Sequence, residues 1–303
     1  MRTLITGGAG FIGSHLAAAC VRRGRVRVLD DLSTGEVARL AGLNIDFRHG
    51  SITDQEAVVA AMIGVDVVFH LAAFVSVPAS VADPARCAEL NIDGLLNVLT
   101  AAGQAGVTRW VFASSSAVYG DDPTVPKVET MTPQPCSPYA QTKLDGERLA
   151  ERAALEGRIS TVTARFFNVF GPGQRPESAY AAAVPKFITR ALAGKPLLIH
   201  GDGEQTRDFV LVEDVVQALL HLAERTELSG EYNVGYGQAT TIQRLGEEIV
   251  RLTDSRSLIE HGPERPGDIR HSVASTEKLR ATGWRPQHTL ESGLAQTIAS
   301  YRR

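Results

Sequence analysis

Tyr139 and Lys143 stand four positions apart, and a helix running on from Ser137-Pro138 would bring both side chains to one face. A free phenol titrates at about 10, too high to take a proton readily at neutral pH, but a fixed ammonium beside it favours the phenolate. The pair therefore reads as a tyrosine base. Upstream, Ser114-Ser115-Ser116 offers a hydroxyl to pass the proton, and the triplet leaves open by one position which serine does so. The same spacing occurs on ordinary helix faces, so the surrounding elements must decide.

At the start of the chain a strand over Arg2–Thr6, a turn and a helix over 14–23 follow in order, with glycines at Gly7, Gly10 and Gly13. Such a turn lets backbone N–H groups and a helix N-terminus approach a pyrophosphate where any Cβ would intrude. A second strand over 25–29 ends in Asp30-Asp31, at the spacing expected of a carboxylate that binds an adenosine ribose. Its charge repels a 2′-phosphate, so NAD is expected rather than NADP.

The alternation continues with strands over 45–48, 65–70 and 109–113 and helices over 54–62 and 84–102. This predicts an α/β fold, a doubly wound parallel sheet whose ligand lies at the carboxyl ends of the strands. Those ends carry the glycine turn, Asp30, Gly50-Ser51-Ile52, His70-Leu71-Ala72-Ala73 and the serine triplet. His70 is expected to order its loop. Beyond a Gly/Pro-rich loop over 171–180, helices over 184–193, 210–224 and 241–253 and strands at 197–200 and 232–234 predict a smaller lobe over the strand ends. The expected division is 1–167 for dinucleotide binding and 168–303 for substrate, interleaved, with some segments returning to the first domain.

With 303 residues, 44% hydrophobic and 21% charged, the chain can form one large or two intimate domains. A net charge of −3 without basic blocks argues against nucleic-acid binding. Cys20, Cys87 and Cys136 have no metal-ligand spacing and suggest no disulfide framework. No metal is expected. The first apolar run is broken at Gly7 and none approaches a membrane span, so a cytoplasmic protein without a membrane partner is expected.

The ordered set of Gly7 to Gly13, Asp30, His70-Leu71-Ala72-Ala73, Ser114 to Gly120, Tyr139 with Lys143, Arg165 to Pro172, Gly201-Asp202-Gly203 with Arg207-Asp208, and Arg265-Pro266-Gly267-Asp268 resembles the extended short-chain dehydrogenase/reductase family. Within it the chain looks like the UDP-hexose 4-epimerases. The resemblance implies that Tyr139 takes the proton of the sugar 4-hydroxyl while C4 gives its hydride to tightly bound NAD, leaving a 4-keto sugar that turns and is reduced on its other face. Lys143 would lower the tyrosine pKa and bind the nicotinamide ribose, and Ser115 would hydrogen-bond the 4-oxygen. Further cofactor contacts are implied for Phe11, Ile12, Asp31, Ser33, Thr34, Gly35, Ser51, Ile52, Leu71, Ala72, Ala73, Ser114 and Phe166. For the UDP-sugar, the resemblance points to Ser116, Asn168, Ala183, Val184, Lys186, Leu198, His200, Arg207, Arg265, Asp268 and Ser272. A homodimer is also implied, with the helices at 84–102 and 139–156 as candidates for its contact.

Related 4,6-dehydratases carry an acidic pair after the catalytic hydroxyl, and decarboxylases keep a glutamate at its second position. Here those positions are Ser116 and Ala117. Ser51 stands where an aspartate often meets adenine, and Val75 where some epimerases have a lysine. Ser272 replaces a tyrosine of glucose/galactose-restricted members, and the run from Ala179 to Lys186 resembles epimerases accepting N-acetylated sugars, so room for a 2-acetamido group is expected. The alternatives are another NAD-dependent dehydratase or oxidoreductase of nucleotide sugars, or a non-catalytic NAD-binding relative. Retention of Ser115, Tyr139 and Lys143 argues against the last.

Overall fold

Val67–His70 is buried at every position and Arg109–Ser115 at all but the last, as expected of strands covered on both faces of a parallel sheet. The computed structural model describes residues 1–176, 183–264 and 269–302. Its first half runs β1 (Arg2–Thr6), α1 (Phe11–Cys20), β2 (Arg25–Asp30), β3 (Ile45–His49), α2 (Gln55–Met62), β4 (Val67–His70), α3 (Val77–Ala82) and α4 (Pro84–Ala88). A π-helical turn at Glu89–Asp93 leads to α5 (Gly94–Gln104), β5 (Arg109–Ser115), α6 (Pro138–Leu155) and β6 (Ser160–Phe166). There follow β7 (Asn168–Phe170), α7 (Ala183–Leu192), β8 (Leu197–His200), β9 (Thr206–Arg207), β10 (Phe209–Leu211), α8 (Val212–Glu224) and β11 (Gly230–Val234). The chain closes with β12 (Thr240–Thr241), α9 (Ile242–Thr253), β13 (Ile259–Gly262), β14 (His271–Ser272), α10 (Glu277–Ala281) and α11 (Leu290–Tyr301).

The main sheet has seven strands in the order β11-β6-β5-β4-β1-β2-β3. The pairs among β1 to β5 are parallel, with Thr6 opposite both Leu29 and His70 and with His70 opposite Phe112. This is the expected α/β fold. The carboxyl ends of β1, β4 and β5 consequently lie side by side. One unit comprises Met1–Val118, Pro133–Arg165 and Val216–Tyr232; the other comprises Tyr119–Thr132, Phe166–Val215 and Asn233–Arg303. In the first, α2, α5 and α6 cover one sheet face through Leu4, Val58, Val68, Leu95, Trp110 and Ala150. The second has its own core of Phe170, Phe187, Ile188, Leu197, Leu211 and Leu245.

Several elements differ from the sequence-based expectation. The first helix starts at Phe11 rather than 14, inside the glycine turn, where Ser14 N–H already donates to the Gly10 carbonyl. The helix expected over 84–102 is interrupted by the π-helical turn, and α3 precedes it, capped by Ser76 with Pro78 in its first turn. Strand β5 extends through Ser115, two residues beyond the expected end, and 209–211 is a strand rather than the start of α8. Strands β6 and β7 and helix α11 had no sequence prediction.

Helix α6 begins where Ser137 Oγ accepts the Ala140 N–H, with Pro138 in the first turn. It packs closely on β5, since a Cβ at Gly146 would lie 2.6 Å from the Phe112 ring. Next to that glycine, the buried Glu147 carboxylate accepts from Arg165 Nε at 2.9 Å and Nη2 at 2.7 Å, and from Ser114 Oγ at 2.5 Å. One carboxylate thus ties α6 to both β5 and β6. Glu147→Ala would remove the carboxylate that the buried Arg165 guanidinium binds through two nitrogens and should cost about 3 kcal/mol or more in urea unfolding. Glu151→Ala, one turn on and exposed, should stay within about 0.5 kcal/mol of wild type. Equal midpoints for the two variants would contradict this assignment.

Candidate active site

The glycine turn follows β1 and is shaped by contacts that exclude side chains. Gly7 adopts φ +70°, and a Cβ on it would lie 2.7 Å from the Ala72 nitrogen; a Cβ on Gly13 would lie 2.2 Å from the Gly7 carbonyl oxygen. Leu71 N–H donates to the Thr6 carbonyl and Ala72 N–H to Thr6 Oγ1, so the turns after β1 and β4 form one wall. At the end of β2, Asp30 Oδ2 accepts the Ala9 N–H and Oδ1 accepts the Leu32 N–H, each at 2.9 Å. Burial raises the Asp30 carboxyl above its ordinary range, and the two N–H groups oppose that shift. Each oxygen retains a lone pair for a ribose hydroxyl. Bare backbone at a helix N-terminus beside this carboxylate fits a dinucleotide, with Gly7, Gly10, Gly13 and Asp30 as the residues that would hold it.

The remaining cofactor candidates have plain local roles. Asp31 Oδ1 accepts Ser33 N–H and the Ser33 hydroxyl, and a Cβ on Gly35 would lie 2.8 Å from Asp30 Oδ1. Ser51 Oγ hydrogen-bonds Thr53 Oγ1, while Ile52 is core, packed against Gly94. Phe11 and Ile12 begin α1, Thr34 is exposed and Phe166 ends β6.

At the end of β5 the serines separate. Ser114 is buried and donates to Glu147, whereas Ser115 hydrogen-bonds the Tyr139 phenol and Ser116 begins a 3-10 turn. Tyr139 is the second residue of α6, where the positive end of the helix dipole also favours a phenolate. Burial raises its pKa and the Ser115 hydrogen bond lowers it. Lys143 Nζ lies 5.9 Å from the Tyr139 ring centroid and donates to the Ala113 carbonyl at 2.8 Å. Desolvation brings the Lys143 ammonium down to about 8, so it remains largely charged at neutral pH. Burial outweighs the Ser115 hydrogen bond, so the Tyr139 phenol stands above its ordinary range.

Two further groups hold this arrangement. Asn91, in the π-helical turn, accepts the Phe74 N–H at 2.7 Å and donates to Thr142 Oγ1 at 2.9 Å and the Phe74 carbonyl at 3.1 Å. It pins the segment after Ala73 to α6 one residue before Lys143; the sequence did not single it out, since Asn97 is a second amide in the same run. His70 hydrogen-bonds Thr6 Oγ1, stacks on Trp110 and is held neutral, its pKa brought down to about 3 by burial and the Lys143 charge. Among the described residues it meets the loop after β4 only through Thr6, whose Oγ1 also accepts the Ala72 N–H.

In the second unit, Asn168 on β7 donates its backbone N–H to the Asp208 carbonyl, and Arg207 on β9 pairs with the buried Ser272 on β14. Leu198 and His200 lie on β8 in a different two-stranded sheet, with His200 Nδ1 3.1 Å from the Pro263 carbonyl. Ala183, Val184 and Lys186 are on α7, where Val184 is buried in the core. Arg265, Asp268 and the run Ala179-Tyr180-Ala181-Ala182 lie outside the described residues. Among the described residues there is no metal-binding cluster and no helix long and apolar enough to cross a membrane.

Ser115→Ala should raise the Tyr139 pKa, because it removes the bond that lowers it, whereas Ser114→Ala should leave that pKa in place and lower stability by about 1 kcal/mol. Tyrosine 13Cζ NMR titration, assigned with Tyr139→Phe, reads the first effect and urea unfolding the second. The reverse pattern would transfer the phenol's partner from Ser115 to Ser114.

Residues 3–235 match the model of the NAD dependent epimerase/dehydratase family. The chain is 36% identical over its full length to the UDP-glucose 4-epimerase of Mycolicibacterium smegmatis, covering 99% of that protein. It is also 36% identical to the UDP-N-acetyl-alpha-D-glucosaminuronate decarboxylase of Bacillus cytotoxicus, with 99% of this chain and 98% of the relative aligned. Among solved structures, the UDP-N-acetylglucosamine 4-epimerase from Methanobrevibacter ruminantium M1, in complex with UDP-N-acetylmuramic acid, superposes with a TM-score of 0.96 at 37% identity, covering 99% of this chain and 98% of that one. The chain belongs to the NAD dependent epimerase/dehydratase family, and it is an NAD-dependent enzyme of nucleotide sugars.

Proposed function

We propose that the protein is a 4-epimerase of a UDP-hexose, working through a 4-keto sugar with Tyr139 as base. The observation that carries this reading is the pairing of Ser115 with the Tyr139 phenol, followed by Ser116 and Ala117 where elimination or decarboxylation would call for a carboxylate. Overall identity does not separate these chemistries, since an epimerase and a decarboxylase match the chain equally. Ala117 supports inversion over elimination or decarboxylation, because a methyl group cannot move a proton at C5 or C6.

In the proposed cycle the phenolate of Tyr139 takes the proton of the sugar 4-hydroxyl, with Ser115 hydrogen-bonding the same oxygen. Bound NAD supplies the hydride acceptor and, for the return, the donor at C4. Tyr139 then gives the proton back to the 4-oxygen after the ketone has turned. The Lys143 charge favours the phenolate through space and would also hydrogen-bond the nicotinamide ribose. Asn168, Arg207 and Arg265 are the candidates for the diphosphate and its ribose, guanidinium groups matching phosphate oxygens with a planar fork of donors. The serine at Ser272 supports admission of a 2-acetamido group.

Purified protein should invert C4 of at least one of UDP-glucose, UDP-N-acetylglucosamine and UDP-glucuronate without added NAD, giving an equilibrium mixture by 1H NMR. Tyr139→Phe should reduce that rate by about 100-fold or more. Loss of water or carbon dioxide in place of inversion would favour a dehydratase or decarboxylase. No inversion of any of the three, even with added NAD, would overturn the proposal.

A further inference from the structure

Asp208 separates β9 from β10 and is fully buried. Its Oδ1 accepts the Tyr236 N–H at 2.7 Å, and its Oδ2 accepts the N–H groups of Gly237 at 2.9 Å and Ala274 at 3.1 Å. Its own carbonyl accepts the Asn168 N–H at 2.9 Å. Around it the backbone is kept bare: a Cβ on Gly235 would lie 2.7 Å from Asp208 Oδ2 and 2.8 Å from the Ala274 Cβ. One residue therefore fastens β7, the β9–β10 segment, the turn at 235–237 and the chain just after β14.

Three of the residues proposed above to grip the nucleotide sugar, Asn168, Arg207 and Ser272, lie on those fastened segments, and Arg207 and Ser272 are paired directly. We infer that Asp208 is a positioning residue for UDP binding, holding Asn168, Arg207 and Ser272 in register through its backbone hydrogen bonds; this rests on the UDP-sugar reading. The charge is retained at a cost. Desolvation pushes the carboxyl up to about 6, against the three N–H groups and the nearby Arg280 cation that favour its ionised form. A neutral hydrophobic side chain would avoid that cost, but it would leave three buried donors without an acceptor.

In Asp208→Asn only one of the two side-chain terminal atoms can accept, so at least one N–H is orphaned. UDP binding by isothermal calorimetry at pH 7.5 should weaken by about tenfold or more. KM for the sugar that is turned over should rise more than kcat falls, because Ser115, Tyr139 and Lys143 are untouched, and bound NAD measured by absorbance should be retained. Gly235→Ala keeps every charged group and crowds the carboxylate and the Ala274 Cβ, the two sides of one of the bonds that fasten the segments; it should shift UDP affinity in the same direction, and it decides the matter if Asp208→Asn does not fold. UDP affinity within about twofold of wild type in the folded variants would overturn the inference while leaving the proposed function intact. Failure of the wild type to bind UDP would overturn both.

Discussion

An ammonium group carried into the interior, that of Lys143, constrains the groups around the candidate base. Desolvation has already brought it down to about 8, so further loss of compensation would neutralise it within the physiological range. The Ala113 carbonyl accepts its hydrogen bond, and the Glu147 carboxylate one helical turn away supports the charge. Glu147 is itself shared with Arg165 and Ser114, which fixes the rotation of α6 against β5 and β6. The same positive charge helps keep His70 neutral at the end of β4. A lysine at this place is thus accompanied by a carboxylate, a backbone carbonyl and a neutral imidazole.

That arrangement gives the serine triplet a division of labour. Ser114 is consumed by the buried ion pair, leaving Ser115 on the phenol at the last position of β5. Tyr139 gains a further electrostatic advantage from the first turn of α6, and the start of that helix is fixed by the Ser137 cap and by Ser80, whose hydroxyl accepts the Tyr139 N–H. The second unit uses the same device in a different setting: Asp208 is a buried carboxylate whose acceptors organise backbone from several segments. In both units a buried charge contributes through the groups it holds in place.

Much of this was legible where the signal is local. The glycine turn, Asp30 and the Tyr139–Lys143 spacing depend on residues close in sequence, and the strand alternation announced the sheet. The identity of the hydroxyl was not legible to one position, because it depends on Glu147 reaching Ser114 across the packing of α6 on β5. The π-helical turn was hidden by apolar periodicity that runs through it. Strand β6 did carry a period, Thr161, Thr163 and Arg165 alternating with Val162, Ala164 and Phe166, although both of its faces are buried; β7, three residues long, is too short to show one. The excursion of Tyr119–Thr132 into the second unit rests on long-range pairing, with Lys127 exchanging backbone hydrogen bonds with Val273 and Ser275. Nothing near Lys127 in sequence signals that partner.

The central claim is that the sugar is oxidised and reduced at C4 within one site, with Tyr139 moving only the hydroxyl proton. The most direct measurement uses the UDP-hexose that is inverted, labelled with deuterium at C4, in ordinary water, with both epimers analysed by NMR and mass spectrometry. The account predicts that the label stays at C4 in the substrate and in the inverted product. Loss of deuterium to solvent would show that C4 is deprotonated and reprotonated instead, and would contradict it.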